Sequence, residues 1–397
     1  MPERKEGVVP RLRFPEFRNA GEWKVKRLVD IADVNAAGDL DSKEFSPVRT
    51  QDHIYPVYSN SVAQEGLYGF CSYPKYKKES VTITARGTLG VAFYRDHDFV
   101  GIGRLLIVSN LHETSPRFLK ELWNHLVREP FEDGGIPQLT AIKARRVKLF
   151  LPNLSEQQKI ADCLSSLDEV IELEAKKLEA LKIHKKGLMQ QLFPREGETT
   201  PRLRFPEFRD AGPWEVKRLG EICSAFSGGT PSSSIKEYYG GSIPFIRSAE
   251  INQDTTELFL TEEGLKNSSA KLVVKGDILI ALYGANSGDG ALSKIDGAIN
   301  QAILCLRSKL NHSFILAYWR LRKNEIVMRF IQGGQGNLSA EIVKSIAFAF
   351  PSLAEQQKIA DCFSSLDRVI ELEAQKLEAF KTHKKGLMQQ LFPQEVD

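Results

Sequence analysis

The chain has 397 residues, 42% of them hydrophobic and 26% charged, with a formal net charge of +3. That length suits two or three domains at ~100–200 residues each, and the mix excludes a collagen-like or wholly disordered chain. No apolar run approaches the ~20 residues that cross a bilayer, the charged start lacks a secretory core, and five scattered cysteines without a Cys-x-x-Cys pair give no disulfide framework. No membrane role is expected, and the cytoplasm is the expected compartment.

In chain order, the first motif is Pro10–Leu28, PRLRFPEFRNAGEWKVKRL. Residues 29–150 follow as a variable module of short apolar runs and turns. Within it, β-branched Val81–Thr84 reads as a strand ending at Ala85-Arg86-Gly87, and Ser115–Glu129 reads as a helix. Ser155–Leu192 then lacks proline, and Ile160, Leu164, Leu167, Ile171, Glu174, Leu178, Leu181, Lys185, Leu188 and Leu192 alternate at spacings of 4 and 3. This is a heptad seam with two polar interruptions, predicting a helix of about 57 Å at 1.5 Å per residue. Ser155 and Glu156 stand where an N-cap and a first-turn acid belong, and Pro194 ends the helix.

The chain then repeats itself. Pro201–Leu219 matches Pro10–Leu28 at 16 of 19 positions, and Phe350–Pro393 matches Leu151–Pro194 at 36 of 44. Residues 220–349 between them show no convincing match to residues 29–150, although both read as mixed α+β modules of similar plan. The motif's Phe14, Phe17 and Trp23, with Phe205, Phe208 and Trp214, read either as a staple fixing module to helix or as a docking surface for a partner. The predicted segments are residues 1–150 and 195–349 as globular domains with their repeated motifs, and residues 151–194 and 350–397 as the two long helices. Helix one delivers the chain to module two and helix two starts there, so helices paired along their length must run antiparallel. A two-fold centred between Leu178 and Leu181 sets Glu174 opposite Lys384 and Lys185 opposite Glu373 as register-setting pairs.

SEQQKIAD and AEQQKIAD open the two helices, each shortly after Pro152 or Pro351. SGGTPS at 227–232, IPFIRSAEI, KGDILIALYG, GAINQAI and ITARGTLG lie in the modules. Together these resemble the specificity subunit of Type I restriction–modification systems, along the whole chain. The resemblance implies an α+β fold: two mixed α/β target-recognition domains joined by an antiparallel two-helix coiled coil, as a pseudo-two-fold repeat. It implies that each domain reads half of a bipartite double-stranded DNA site, and that the helices set the spacing and dock two modification subunits that methylate adenine. No cofactor is expected on this chain; S-adenosylmethionine, ATP and Mg belong to partner modification and restriction subunits.

The residues agree with a non-catalytic role. There is no Pro-Pro dipeptide for an adenine-methyltransferase motif, no Gly-Lys for a Walker A loop, and no His-Glu-x-x-His or zinc-spaced Cys/His cluster. Glu-x-Lys triplets at Glu22–Lys24 and Glu174–Lys176 lack the Pro-Asp lead of a nuclease site. A solitary endonuclease and a coiled-coil scaffold without nucleic acid stand as alternatives. Residues 29–150 hold 15 basic and 15 acidic residues, and residues 220–349 hold 13 and 12. Such neutral readers suit a subunit whose partners help clamp the duplex. Direct readout needs arginine or amide groups on short rigid loops. The candidates are Ser59, Asn60, Arg86, Arg104 and Gln138 in module one, with Thr230, Arg247, Ser248, Tyr283, Asn286, Gln335 and Asn337 in module two. Arg145, Arg146 and Lys148 are expected to face phosphates or solvent.

Overall fold

The computed structural model describes residues 7–126, 138–331 and 337–393. The chain divides into two compact units, residues 1–175 with 375–397, and residues 176–374. Both boundaries fall inside the long helices, so each unit holds one module, one end of the first long helix and the opposite end of the second.

The first unit runs through β1 (Gly7–Val8), β2 (Trp23–Arg27), β3 (Asp33–Ala36), β4 (Phe45–Ser46), β5 (Tyr55–Tyr58), β6 (Leu67–Cys71), β7 (Ser80–Ile83), β8 (Ala92–Arg95), β9 (Val100–Gly101) and β10 (Leu106–Ser109). Helices α1 (Pro116–Leu126) and α2 (Ala141–Arg145), strand β11 (Lys148–Leu151) and the start of α3 (Leu154–Leu192) complete it. Strands order as β3-β10-β7-β8 in one sheet and β4-β6-β5-β9 in another, the latter holding one parallel pair, β5 with β9. All of β7 is buried, as its β-branched sequence demands of a strand covered on both faces. Helix α1 covers this sheet. Its Trp123 indole donates to the Gly90 carbonyl at 3.0 Å, and Asn124 exchanges two hydrogen bonds with the Ala92 backbone.

The second unit holds the rest of α3, then β12 (Glu215–Arg218), α4 (Leu219–Ile222), β13 (Cys223–Ser227), β14 (Tyr239–Ile246), β15 (Phe259–Leu260), α5 (Glu262–Lys266) and β16 (Lys271–Val273). Next come β17 (Ile278–Ala281), β18 (Gly290–Leu292), β19 (Gly297–Ile299), β20 (Ile303–Ser308), α6 (His312–Ile331), α7 (Ala340–Ser345), β21 (Ala347–Phe350) and the start of α8 (Leu353–Leu391). Sheet β13-β20-β17-β18 repeats the plan of β3-β10-β7-β8. Strands β14 and β19 form the parallel pair that matches β5 and β9. Trp319 of α6 donates to the Gly288 carbonyl at 2.8 Å, the counterpart of Trp123 on Gly90. Two sequences without visible similarity thus share one main-sheet order and one parallel pair, while the second sheets differ at their edges, β4 flanking β6 in the first unit and β16 flanking β19 in the second.

The conserved pieces fasten each module to its helix. Arg13 makes two hydrogen bonds to Glu156, at 2.7 and 2.5 Å, and the Trp23 indole donates to the same carboxylate at 3.3 Å. Arg204 and Glu355 repeat the fork at 2.8 and 2.5 Å. Gln157 bridges the Pro152 and Glu113 carbonyls while accepting from Ser115 N–H, and Gln356 does the same work between Pro351 and Asn311. The staple reading of the repeated motif therefore accounts for Trp23 and adds Arg13, whereas Phe14 and Phe17 stay only partly covered. Helix α3 starts one residue before the predicted stretch. Asn153 and Ser352, not Ser155, receive the N–H of Glu156 and Glu355 and cap the two helices.

Every predicted seam residue of both long helices is buried or half-buried. The antiparallel sense holds within each unit. In the first, Lys376 donates to Glu174 at 2.5 Å and Lys384 to Asp168 at 2.6 Å. In the second, Lys177 donates to Glu373 at 2.6 Å and Lys185 to Asp367. The expected pairs Glu174–Lys384 and Lys185–Glu373 do not form. The register lies about one heptad away, and each seam charge pairs with a residue flanking the seam. Apolar anchors at the helix ends fix it. Phe392 packs on Phe118 with ring centroids 5.7 Å apart, and Phe193 sits 4.6 Å from Tyr318 and 5.9 Å from Phe363. Seam-on-seam pairing would also bury both charges together, where desolvation opposes the Coulomb gain.

Candidate nucleic-acid interface

The strand order gathers the connecting loops of each module at one end of its sheets. In the first unit Asn60, just past β5, is the junction. Its amide donates to the Gly103 carbonyl at 2.5 Å, and its carbonyl oxygen accepts the Ala85 N–H at 2.7 Å. Leu139 N–H in turn donates to the Ala85 carbonyl at 3.1 Å. Three loops and the stretch beside Gln138 are thereby tied together, and Arg86 and Arg104 ride on them. Both arginines are exposed and make no hydrogen bond or ion pair among the described residues. Arg104 has φ +67°, following Gly103 at +64°, a paired left-handed turn. Ser59 is half-buried, and its N–H and hydroxyl both donate to the Gly66 carbonyl, closing the 59–66 loop. Gln138 is half-buried.

Beneath that loop lies a residue that no sequence pattern singles out. Arg95 is 1% exposed. It donates to Thr82 Oγ1 at 3.0 Å and to the Glu65 carbonyl at 2.7 Å, and stacks 3.5 Å over the Tyr58 ring. Burial pushes its pKa below the usual guanidinium range, against the pull of the Tyr58 and Glu65 charges. The contact secures Gln64 and Glu65 at φ of 49° and 53°.

The second unit builds an analogous cluster from other residues. The Thr230 hydroxyl donates to the Gln301 side-chain amide oxygen Oε1 at 2.7 Å, Leu282 N–H to the Ala302 carbonyl, and Leu338 N–H to the Leu282 carbonyl. Gly228 of SGGTPS lies so close to β19 that a Cβ there would sit 1.7 Å from the Ile299 carbonyl oxygen, so only glycine fits. Since β14 pairs with β19 through Ile246 and Ile299, Arg247 emerges beside this cluster. It is not free: its guanidinium forks onto Glu250 at 3.0 and 2.7 Å and reaches Glu257 at 2.6 Å. These bonds raise the Arg247 pKa and hold the Glu250 carboxyl at about 2. Ser248 is half-buried in the following turn, and Tyr283 stands 40% exposed after β17. Asn286 is half-buried within the 282–289 turn, and Asn337 is exposed next to Leu338. Gln335 lies outside the described residues.

The matched tryptophan bonds align the two modules loop by loop. Arg86 corresponds to Tyr283, and the turn holding Arg104 corresponds to that holding Gln301. Gln301, exposed at the turn before β20, was missed by sequence reasoning. The signal was present in GAINQAI, an amide just past an apolar strand. Arg145 corrects another expectation. It is half-buried and donates twice to the Val34 carbonyl, at 3.1 and 2.6 Å, bracing β3, while Arg146 and Lys148 are exposed. Among the described residues no group of three or more His, Cys, Asp or Glu is placed to hold a metal, and no helix is long and apolar enough to cross a membrane. What the loops offer is donor and acceptor chemistry for recognition on rigid supports.

Comparison with known proteins bears on the same residues. The Type I restriction modification DNA specificity domain matches twice, over residues 20–182 and 212–382. A putative type I restriction enzyme MjaX specificity subunit of Methanocaldococcus jannaschii is 25% identical over 307 residues, 72% of this chain and 70% of that protein. The EcoR124I/EcoR124II specificity subunit of Escherichia coli is 29% identical over 170 residues, 39% of this chain and 41% of that protein. The chain thus spans over two thirds of the first relative and under half of the second. The crystal structure of a Type-I restriction-modification system S subunit from M. genitalium shares the fold, with a TM-score of 0.65 at 17% identity, covering 98% of this chain and all of that one. With two domain matches over most of its length, one on each of two like-folded modules, the chain belongs to the Type I restriction modification DNA specificity domain family.

Proposed function

We propose that this chain is the sequence-reading subunit of a Type I restriction–modification complex, that each unit reads one half of a bipartite DNA site through its loop cluster, and that the chemistry resides in partner subunits. One observation carries the reading: two modules sharing the strand order of their main sheet present different side chains on corresponding loops. Arg86 stands where the second module has Tyr283, and the turn holding Arg104 corresponds to the turn holding Gln301. Arginine offers paired donors suited to guanine O6 and N7, whereas a glutamine amide suits adenine N6 and N7. Unlike readers on like scaffolds give an asymmetric site. Among the candidates, Arg86, Arg104, Tyr283 and Asn337 are the exposed ones placed to reach DNA without rearrangement. Asn60, Thr230 and Arg247 have intramolecular partners in the unbound chain.

Two modification subunits are the proposed partners, carrying S-adenosylmethionine and methylating adenine, with restriction subunits bringing ATP- and Mg-dependent activity. The repeat supports two equivalent docking faces. Leu12 and Leu203, Val25 and Val216, and Leu154 and Leu353 are identical residues at matched positions, and all six stay exposed. Near-neutral modules fit a reader whose partners supply part of the phosphate contact. The test is a mobility-shift assay with and without modification subunits, coupled to exchange of residues 220–349 for another such module. Binding that needs the partners, with a change in one half-site only, is expected. Change in both half-sites rejects modular reading, and Mg-dependent cleavage by the isolated chain points to an endonuclease.

A further inference from the structure

The two exposed arginines of the first module share a support. The Asn60 side chain has one hydrogen-bond donor group and one acceptor group directed at backbone, and each lands on a different loop. Its amide holds the Gly103 carbonyl, one residue before Arg104, and its oxygen holds the Ala85 N–H, one residue before Arg86. Each loop has one further backbone tie, Gly103 N–H to the Gly38 carbonyl and Leu139 N–H to the Ala85 carbonyl, both at 3.1 Å, and Asn60 is the side chain that joins the two. Ala85 follows the end of β7, and Gly103-Arg104 is a left-handed turn with φ of +64° and +67°. Asn60 is itself fixed, because Ser59 N–H donates to Gly66 and the buried Arg95 secures the Glu65 carbonyl. A chain of polar contacts therefore runs from the sheet interior through Asn60 to the backbone beneath two reader arginines.

We infer that Asn60 is a positioning residue for half-site recognition: by bridging Ala85 and Gly103 it sets the spacing and direction of Arg86 and Arg104, and does not itself read a base. This rests on the loop cluster being the DNA-reading face. An arginine recognises guanine through two parallel N–H bonds, which tolerate little angular error, so two arginines on loops free to drift discriminate poorly even with every phosphate contact intact. Aspartate at position 60 keeps the acceptor for Ala85 and loses the donor to Gly103. It should therefore disturb Arg104 selectively, whereas alanine releases both loops.

The experiment uses the full chain assembled with its modification subunits and selects bound duplexes from a pool randomised across both half-sites. The arms are Asn60→Ala, Asn60→Asp and the pair Arg86→Ala with Arg104→Ala. For Asn60→Ala, discrimination at one half-site falls about tenfold, the scale of a lost bidentate contact, while the other half-site is read as before. The loss occurs at the base positions that the arginine pair affects. Asn60→Asp affects only the position lost in Arg104→Ala. The untouched half-site is an internal control, because a folding defect lowers all binding without reshaping one preference. If the arginine pair alters one half-site but both Asn60 variants read it normally, the positioning role is overturned alone. If the arginine pair alters neither, the DNA-reading face itself is misassigned. Equal relaxation of both half-sites by Asn60→Ala also overturns the inference.

Discussion

At the residue scale, the two most buried ion pairs among the described residues are the forks Arg13–Glu156 and Arg204–Glu355, with side-chain exposures of 6% and 1%, and of 7% and 2%. Each joins the repeated N-terminal motif to the first turn of a long helix. The helix N-terminus and the fork both direct donors at that buried carboxylate. Removing one member leaves the other charge buried and uncompensated, a loss of about 3–5 kcal/mol. Arg13→Ala should therefore lower the stability of the first unit by that amount in chemical denaturation followed through tryptophan fluorescence, Trp23 being hydrogen-bonded to the same carboxylate. Glu16→Ala, which removes the half-exposed pair with Lys159 at 3.2 Å, should leave it nearly unchanged. Equal losses in the two variants would show that the fork is not what holds motif to helix.

At the element scale, the long helices are aligned by their ends rather than by their charges. Glu174–Lys376 and Lys177–Glu373 leave each lysine about half exposed, and such pairs are worth ~0–1 kcal/mol. Phe392, 1% exposed against Phe118, belongs to the core of the first unit, and truncating such a ring loses about 3–5 kcal/mol. A double-mutant cycle on Glu174 and Lys376 should thus give weak coupling, while Phe392→Ala destabilises strongly. Strong coupling with a mild Phe392→Ala would return register control to the charges. This division explains what was readable beforehand. Heptad spacing marks the seam residues because burial follows helical period, and connectivity gives the antiparallel sense. The same spacing is satisfied by registers one heptad apart, and the choice is made by Phe193 and Phe392, which lie just past the end of the heptad seam. Likewise Val81–Ile83 is legible as a buried strand, but pairing of β5 with β9, about 40 residues apart, leaves no local mark. Among candidate readers, Arg86 is singled out because it follows an apolar strand, and it stands exposed. Asn60 is chosen by residue type as a reader, and its contacts to Ala85 and Gly103 are with backbone groups that leave no side-chain signature. Arg247 follows a strand as Arg86 does, yet Glu250 and Glu257 engage it through a turn whose closure the sequence does not announce.

For the whole molecule, covalent continuity is the decisive fact. Each 39-residue helix starts in one unit and ends in the other. Helix, rather than a flexible linker, therefore forms the covalent connection between the units. The helices are proposed to set the unread spacer of the bipartite site, and this has a quantitative consequence. Seven residues add about 10 Å along a helix and return the side chains to within about 20° of their original face, so a one-heptad insertion in both helices preserves the seam. With base pairs stacked about 3.4 Å apart, a spacer set by the helices should widen by about three base pairs. Both half-sites should keep their sequence preferences, because no loop of either cluster is altered. Selection of bound duplexes, or sequencing of methylated adenines in cells carrying the lengthened chain, reads spacer and half-sites together. An unchanged spacer with intact half-sites would mean that the partners, not the helices, fix the distance. Loss of all recognition with the long-helix pairing preserved would mean that the two clusters must engage one duplex at a single fixed separation.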